Sequence, residues 1–177
     1  MSHHPPISAC YAYSDDYEYF MNTNTKMAFN GTHIKATPLG FQHVTLKAYN
    51  EHYIIERPQT YVNNIIIGKM YVEHSGHMIV RNLTNGMVTK IEYKPAGWTK
   101  KNLHQLEGLV YLNAEDMEAH VRPYFQIKGS YMSTLTAYPL EVSDKKDNVI
   151  VDDEKLPLEI WKVIELPDNE DWNYHFT

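Results

Sequence analysis

The sequence predicts a mainly β fold of antiparallel strands. Three features carry that expectation: short runs of alternating apolar and polar residues, turn signals at close spacing, and 14 tyrosines in 177 residues. Tyrosine suits a half-wet sheet surface, because its ring packs while its hydroxyl reaches water. In chain order, Ile7–Tyr13 and Tyr17–Thr23 flank a turn at Ser14-Asp15-Asp16, and Lys26–Phe29 and His33–Ala36 flank Asn30-Gly31, a strong hairpin signal. Gln42–Tyr49 and His52–Glu56 are the next expected strands. A meander follows, in which Lys69–His74, Met78–Asn82 and Met87–Tyr93 are joined by turns at Ser75-Gly76 and Asn85-Gly86. Met87, Thr89, Ile91 and Tyr93 alternate against Val88, Lys90 and Glu92, giving one face for a core or cavity and one for water. Leu106–Leu112, His120–Ile127 and Ile160–Ile164 complete the expected strands, with a brief one at Val149–Val151 inside the charged stretch SDKKDNVIVDDEK. Helical periodicity is weak, and Asn113–Ala119, its one modest candidate, reads as a turn.

Composition narrows the function classes. A net charge of −6 lacks the basic field that general nucleic-acid binding exploits. The single cysteine, Cys10, excludes an internal disulfide or a cysteine-based zinc site and fits a reducing compartment. No apolar run approaches the roughly 20 residues that span a bilayer as a helix. With no repeat or linker in sight, the chain reads as a single domain over residues 1–177.

The stretch SHHPP at Ser2–Pro6 needs its own account, because paired prolines hold the preceding residues extended. A tag remnant, a metal site and an anion-binding loop compete for His3 and His4. A terminal amine with His3 could chelate copper or nickel in a square plane, an accident of where the chain begins. His74 and His77, on either side of Ser75-Gly76, lack a third ligand and read as exposed hairpin histidines. No metal or cofactor is expected. An extended chain would hold Cys10 about 20 Å or more from the histidine pair, so it reads as a small buried thiol and not a nucleophile. GxSxG, a phosphate-cradling glycine loop and HExxH are all absent from the sequence, and an enzyme is not expected. Lys94, Trp98, Lys100 and Lys101 form a loop with an indole among ammonium groups, which suits contact with an anionic membrane surface as well as it suits a solvated turn.

The blocks SHHPPISA, FNGTHIKATPLG, NNIIIGKMYVEHSGHMIVRNLTNG, KPAGWTKKNLHQLEGLV and LPLEIWKVIELPDNEDWNYHFT occur in that order. They resemble the ligand-binding domain of oxysterol-binding-protein-related lipid-transfer proteins. That family's signature runs Glu-Gln-Val-Ser-His-His-Pro-Pro, and SHHPP matches it from the serine onward. The resemblance implies an incomplete antiparallel β-barrel around a lipid tunnel, without the family's N-terminal lid and C-terminal helical region. It implies a sterol or phospholipid ligand exchanged for phosphatidylinositol 4-phosphate, with His3 and His4 on the 4-phosphate. Imidazole N–H groups suit a phosphate, and a nearby dianion makes each ring more basic. It also implies a cytoplasmic protein, peripheral at organelle membranes and their contact sites, touching membrane surfaces transiently. Tyr131 stands where the family usually shows tryptophan. A shortened β-rich interaction module or incomplete fragment, without transfer activity, is the competing expectation.

Overall fold

The computed structural model describes residues 1–4, 7–97, 99–142, 149–151 and 157–163. In chain order these form β1 (Ser2–His4), β2 (Ile7–Tyr13), β3 (Tyr17–Phe29), β4 (His33–Leu39), β5 (Gln42–Leu46), a 3-10 turn (Lys47–Tyr49), β6 (Glu51–Glu56) and β7 (Gln59–Asn63). Then come β8 (Tyr71–Asn82), β9 (Val88–Tyr93), β10 (Gln105–Tyr111), helix α1 (Ala114–Ala119), β11 (Phe125–Ser130), β12 (Thr134–Val142), β13 (Val149–Val151) and β14 (Leu158–Lys162). All 14 strands join one sheet, and every pairing is antiparallel.

Two long strands organise it. One edge of β3 carries β2, and the other carries β4 and β5 laid end to end. Met21 faces Gln42 and Asn24 faces Leu39, so the register runs straight across the break at Gly40-Phe41. The break is made by Gly40, whose φ is +90° and where a Cβ would lie 2.4 Å from the Asn22 carbonyl oxygen. In the same way β8 carries β6 and β7 on one edge and β9 on the other. Arg57-Pro58 interrupts β6 and β7, as a residue without an N–H must interrupt a ladder.

Several sequence expectations change. Ser75-Gly76 is not a turn, because it lies within β8. A two-residue type I′ turn needs two successive positive φ values, and Gly76 alone has one, so the chain kinks and does not reverse. His74 and His77 are therefore strand residues, with His74 half-buried. Asn113–Ala119 is a helix with a cap: the Asn113 side chain accepts from the Asp116 amide at 2.8 Å, and Glu115 and Asp116 place negative charge in the first turn. His120 is its left-handed C-terminal residue, so the next strand begins at Phe125 instead. Ser2–His4, Gln59–Asn63 and Thr134–Val142 are strands the sequence pattern did not mark. Val149–Val151 is a strand as expected, and the last one starts earlier, at Leu158.

The two faces of the sheet differ. Cross-strand neighbours share a face, so Met78, Ile91, Gly108, Ile127 and Ala137 form one apolar row across β8–β12. Opposite them, Val88 was expected to face water, yet it is 3% exposed and packs with Tyr111 and Met117. The cover is α1, whose Met117 closes the far face over Ile79 and Leu109. At the sheet's ends, among the described residues, β1 pairs only with β2, while β12 takes β13 and β14 along its outer edge. The sheet is a partial ring left open, as an incomplete barrel would be.

Candidate functional site

The inner face holds a cavity of about 460 Å³ lined from β3 through β9, a run of consecutive strands that a flat sheet could not wrap around one space. Ala36, Pro38, Met78 and Tyr93 give it apolar walls, while Thr25, Gln42, Arg57, Thr60 and His74 supply polar groups.

Arg57 is the unusual one. Its Nη2 donates to the hydroxyl of buried Thr23, and its Nη1 meets only the Met21 sulfur at 3.6 Å, a weak acceptor. Its Nε is buried with no hydrogen-bond partner among the described residues. Burial pushes its pKa down, and nearby Tyr19 pushes the other way. The local fold explains the reach. Carrying the pairing two residues past Gln42 sets Gly40 level with Thr23 on one side and Arg57 on the other, so the guanidinium reaches the Thr23 hydroxyl across a single intervening chain.

His74 anchors the other end of the cavity. Its Nδ1 lies 3.0 Å from Thr60 Oγ1, and its ring meets Tyr93 edge-on and Tyr131 at 5.6 Å. Tyr131 in turn holds His104 Nδ1 at 2.8 Å. Burial, followed by the neighbouring His104, lowers the His74 pKa, so the ring favours its neutral form.

The residues singled out in the sequence do not converge. His3 and His4 sit on the edge strand β1, where His3 pairs with Ser8 and His4 with Ile7; the His4 side chain is exposed. The hairpin folds this strand back beside β2, so the separation from Cys10 expected of an extended chain does not hold. Cys10 is a free thiol and is half-buried, not enclosed. On the far side of the sheet, Lys94 is engaged by Glu107 at 2.5 Å, and this hydrogen bond is the main cause of a lowered Glu107 pKa. Lys100 lies over the Tyr71 ring at 4.2 Å, Lys101 is exposed, and Trp98 falls outside the described residues. Strands β2, β3, β4 and β7 separate the histidines from β8 and the lysine loop. His74, expected as an exposed hairpin histidine, lines the cavity instead, and Arg57 and Gly40 were not foreseen. Their signals are an arginine before a proline between two strand runs, and a glycine in the middle of one. Among the described residues no cluster of three or more His, Cys, Asp or Glu could hold a metal ion, and no helix is long and apolar enough to cross a membrane.

Comparison with known proteins fits this architecture. The model of the Oxysterol-binding protein family matches residues 1–177. Oxysterol-binding protein-related protein 3C of Arabidopsis thaliana is 28% identical over the whole chain, which spans 36% of that relative. Oxysterol-binding protein-related protein 3 of Homo sapiens is 32% identical over 63% of the chain and 13% of its own length. Among solved structures, the Osh1 ORD domain in complex with cholesterol superposes over 94% of this chain and 40% of its own, with a TM-score of 0.74 at 23% identity. The Osh3 ORD from Saccharomyces cerevisiae in complex with PI(4)P covers 95% of the chain and 40% of its own, with a TM-score of 0.69 at 20% identity. With a family match along its entire length and a shared sheet, this chain belongs to the oxysterol-binding protein family.

Proposed function

We propose that residues 1–177 form part of a lipid-binding domain that carries a sterol or phospholipid and exchanges it for phosphatidylinositol 4-phosphate between membranes, without chemical catalysis. The observation that carries this reading is the inner cavity, an apolar sheet face that no element of the described chain fills, in a family with ORD structures holding cholesterol and PI(4)P. Acyl or sterol carbons placed there leave water at about 0.8 kcal/mol per CH₂. His3 and His4 contact the phosphate at the exposed strand edge. Competition of two lipids for one space turns binding into exchange.

Membrane contact falls to the loops after β7 and β9. Ile66, Ile67 and Met70 are 68%, 83% and 60% exposed, and Lys100 reaches Tyr71 at the end of the same loop. With Lys100 and Lys101 this makes an apolar tip with a basic border, suited to anionic membrane surfaces. The protein would then work peripherally, on the cytosolic faces of organelle membranes.

The test is transfer of phosphatidylinositol 4-phosphate between liposomes by this chain and by its His3→Ala/His4→Ala variant. Transfer by the former and its loss in the latter is expected. Equal transfer by both sinks the phosphate assignment, and transfer by neither favours an interaction module.

A further inference from the structure

We propose that Arg57 is the anchor of an anion subsite inside the cavity, one that takes the phosphate or carboxylate of an anionic lipid headgroup. This rests on the lipid-binding reading and adds to it a charged contact within the apolar wall.

A guanidinium offers five N–H donors and stays ionised. In Arg57 only the donor held by Thr23 is well used, and the Nε–H is buried without a partner. No carboxylate compensates the charge: among the described residues Glu18, Glu56, Glu107 and Asp116 are the ion-paired acids, and their partners are Lys47, Arg81, Lys94 with Lys128, and Arg122. Glu56, adjacent in sequence, is taken by Arg81. A half-buried cation without a counter-charge carries a desolvation cost, and an incoming anion offsets it. The side chain is also held ready, since the Thr23 hydroxyl that it binds belongs to a residue only 4% exposed.

The surroundings select the class of ligand. Thr25, Gln42, Thr60 and His74 add groups that hydrogen-bond oxygen, while Pro38 and Met78 accept hydrocarbon. A phosphate or carboxylate can take two donors of one guanidinium side by side. Thr23 pairs with Ser8, and Ser8 pairs with His3. At the usual strand spacing, the edge strand lies about 10 Å from Thr23, so His3 falls in the register row of the subsite and His4 in the next.

The experiment measures extraction of phosphatidylinositol 4-phosphate and, separately, of a fluorescent sterol from phosphatidylcholine vesicles by the full chain. Arg57→Gln is expected to lower phosphoinositide extraction about tenfold or more, as loss of a charge-assisted pair implies, and to lower sterol extraction much less. Arg57→Lys should fall between. Competition by inorganic phosphate would mark a subsite that accepts any phosphate, and lack of competition one that requires the lipid. Unchanged phosphoinositide extraction by Arg57→Gln, or equal loss of both lipids, overturns the subsite. A wild-type chain that extracts sterol but no anionic lipid overturns the subsite while lipid binding stands, and one that extracts neither removes both. Should the variants fail to fold, the Arg57 Nε–H resonance of the wild-type chain, titrated with short-chain phosphoinositide, decides: a shift absent with a neutral lipid is expected, and no shift overturns the proposal.

Discussion

The outer face over β9 and β10 and the inner face beneath β3–β9 are built from similar alternation, yet one is closed and the other is open. On the outer face α1 seals Val88, Tyr111 and Met117 to 3%, 2% and 8% exposure. On the inner face a cavity of about 460 Å³ persists, with a guanidinium nitrogen lacking a partner in its wall. The buried apolar residues run from Val88 to Leu140, whereas in β1–β7 the buried residue is a threonine, Thr23. Where the chain covers its own apolar face it gains stability, and where it does not, the face is available to a ligand. Strands β10–β12 with α1 are thus the support and β1–β8 carry the site, while β9 serves both, with Val88 in the core and Tyr93 in the cavity wall.

Truncating the support should produce the largest effect. Tyr111→Ala removes a ring buried to 2% exposure and should cost about 3–5 kcal/mol, the range for large core aromatics. Urea denaturation measures this, and a cost below about 1 kcal/mol would break the contrast between the halves. Next in size is His3→Ala/His4→Ala, which should lower phosphoinositide transfer about tenfold or more, while the place of both on an edge strand keeps stability within about 0.5 kcal/mol. A large loss of stability would place these residues with the support. Asn113→Ala removes the cap of α1 and should cost about 1 kcal/mol, with transfer unaffected.

The smallest effect is a pH dependence from the inner face. His74 is held below its ordinary pKa by burial and then by His104, and on the other face His43 by burial and then by His52. The unfolded chain therefore binds more protons than the folded one as pH falls through the ordinary histidine range. Their contribution is full above about pH 6.5 and is lost as pH drops through the lower folded values. The melting temperature should decline from about pH 7 to pH 5, and His74→Gln should flatten that decline. An unchanged slope in the variant would mean that the imidazole does not titrate on unfolding.

The strands around Asn30-Gly31 and Asn85-Gly86 were legible because both loops are short and polar between alternating runs. Ser75-Gly76 misled because a glycine kink in a long strand and a hairpin turn share composition, and only the φ of the preceding residue separates them. The helix at Ala114–Ala119 was obscured by its brevity, since its cap and one docked methionine, not its period, hold it. Val88 could not be assigned because the pattern marks which residues share a face and not whether another element covers it. Of the site, SHHPP was legible as a motif. Arg57 was not, because its isolation depends on Glu56, its neighbour in sequence, being taken by Arg81.

The most direct test of this division is amide hydrogen exchange of the full chain with and without vesicles containing phosphatidylinositol 4-phosphate. Added protection across β1–β7 is expected, with β10, α1 and β11 unchanged because they are already packed. Protection confined to β10–β11 and α1, or none anywhere, would contradict it.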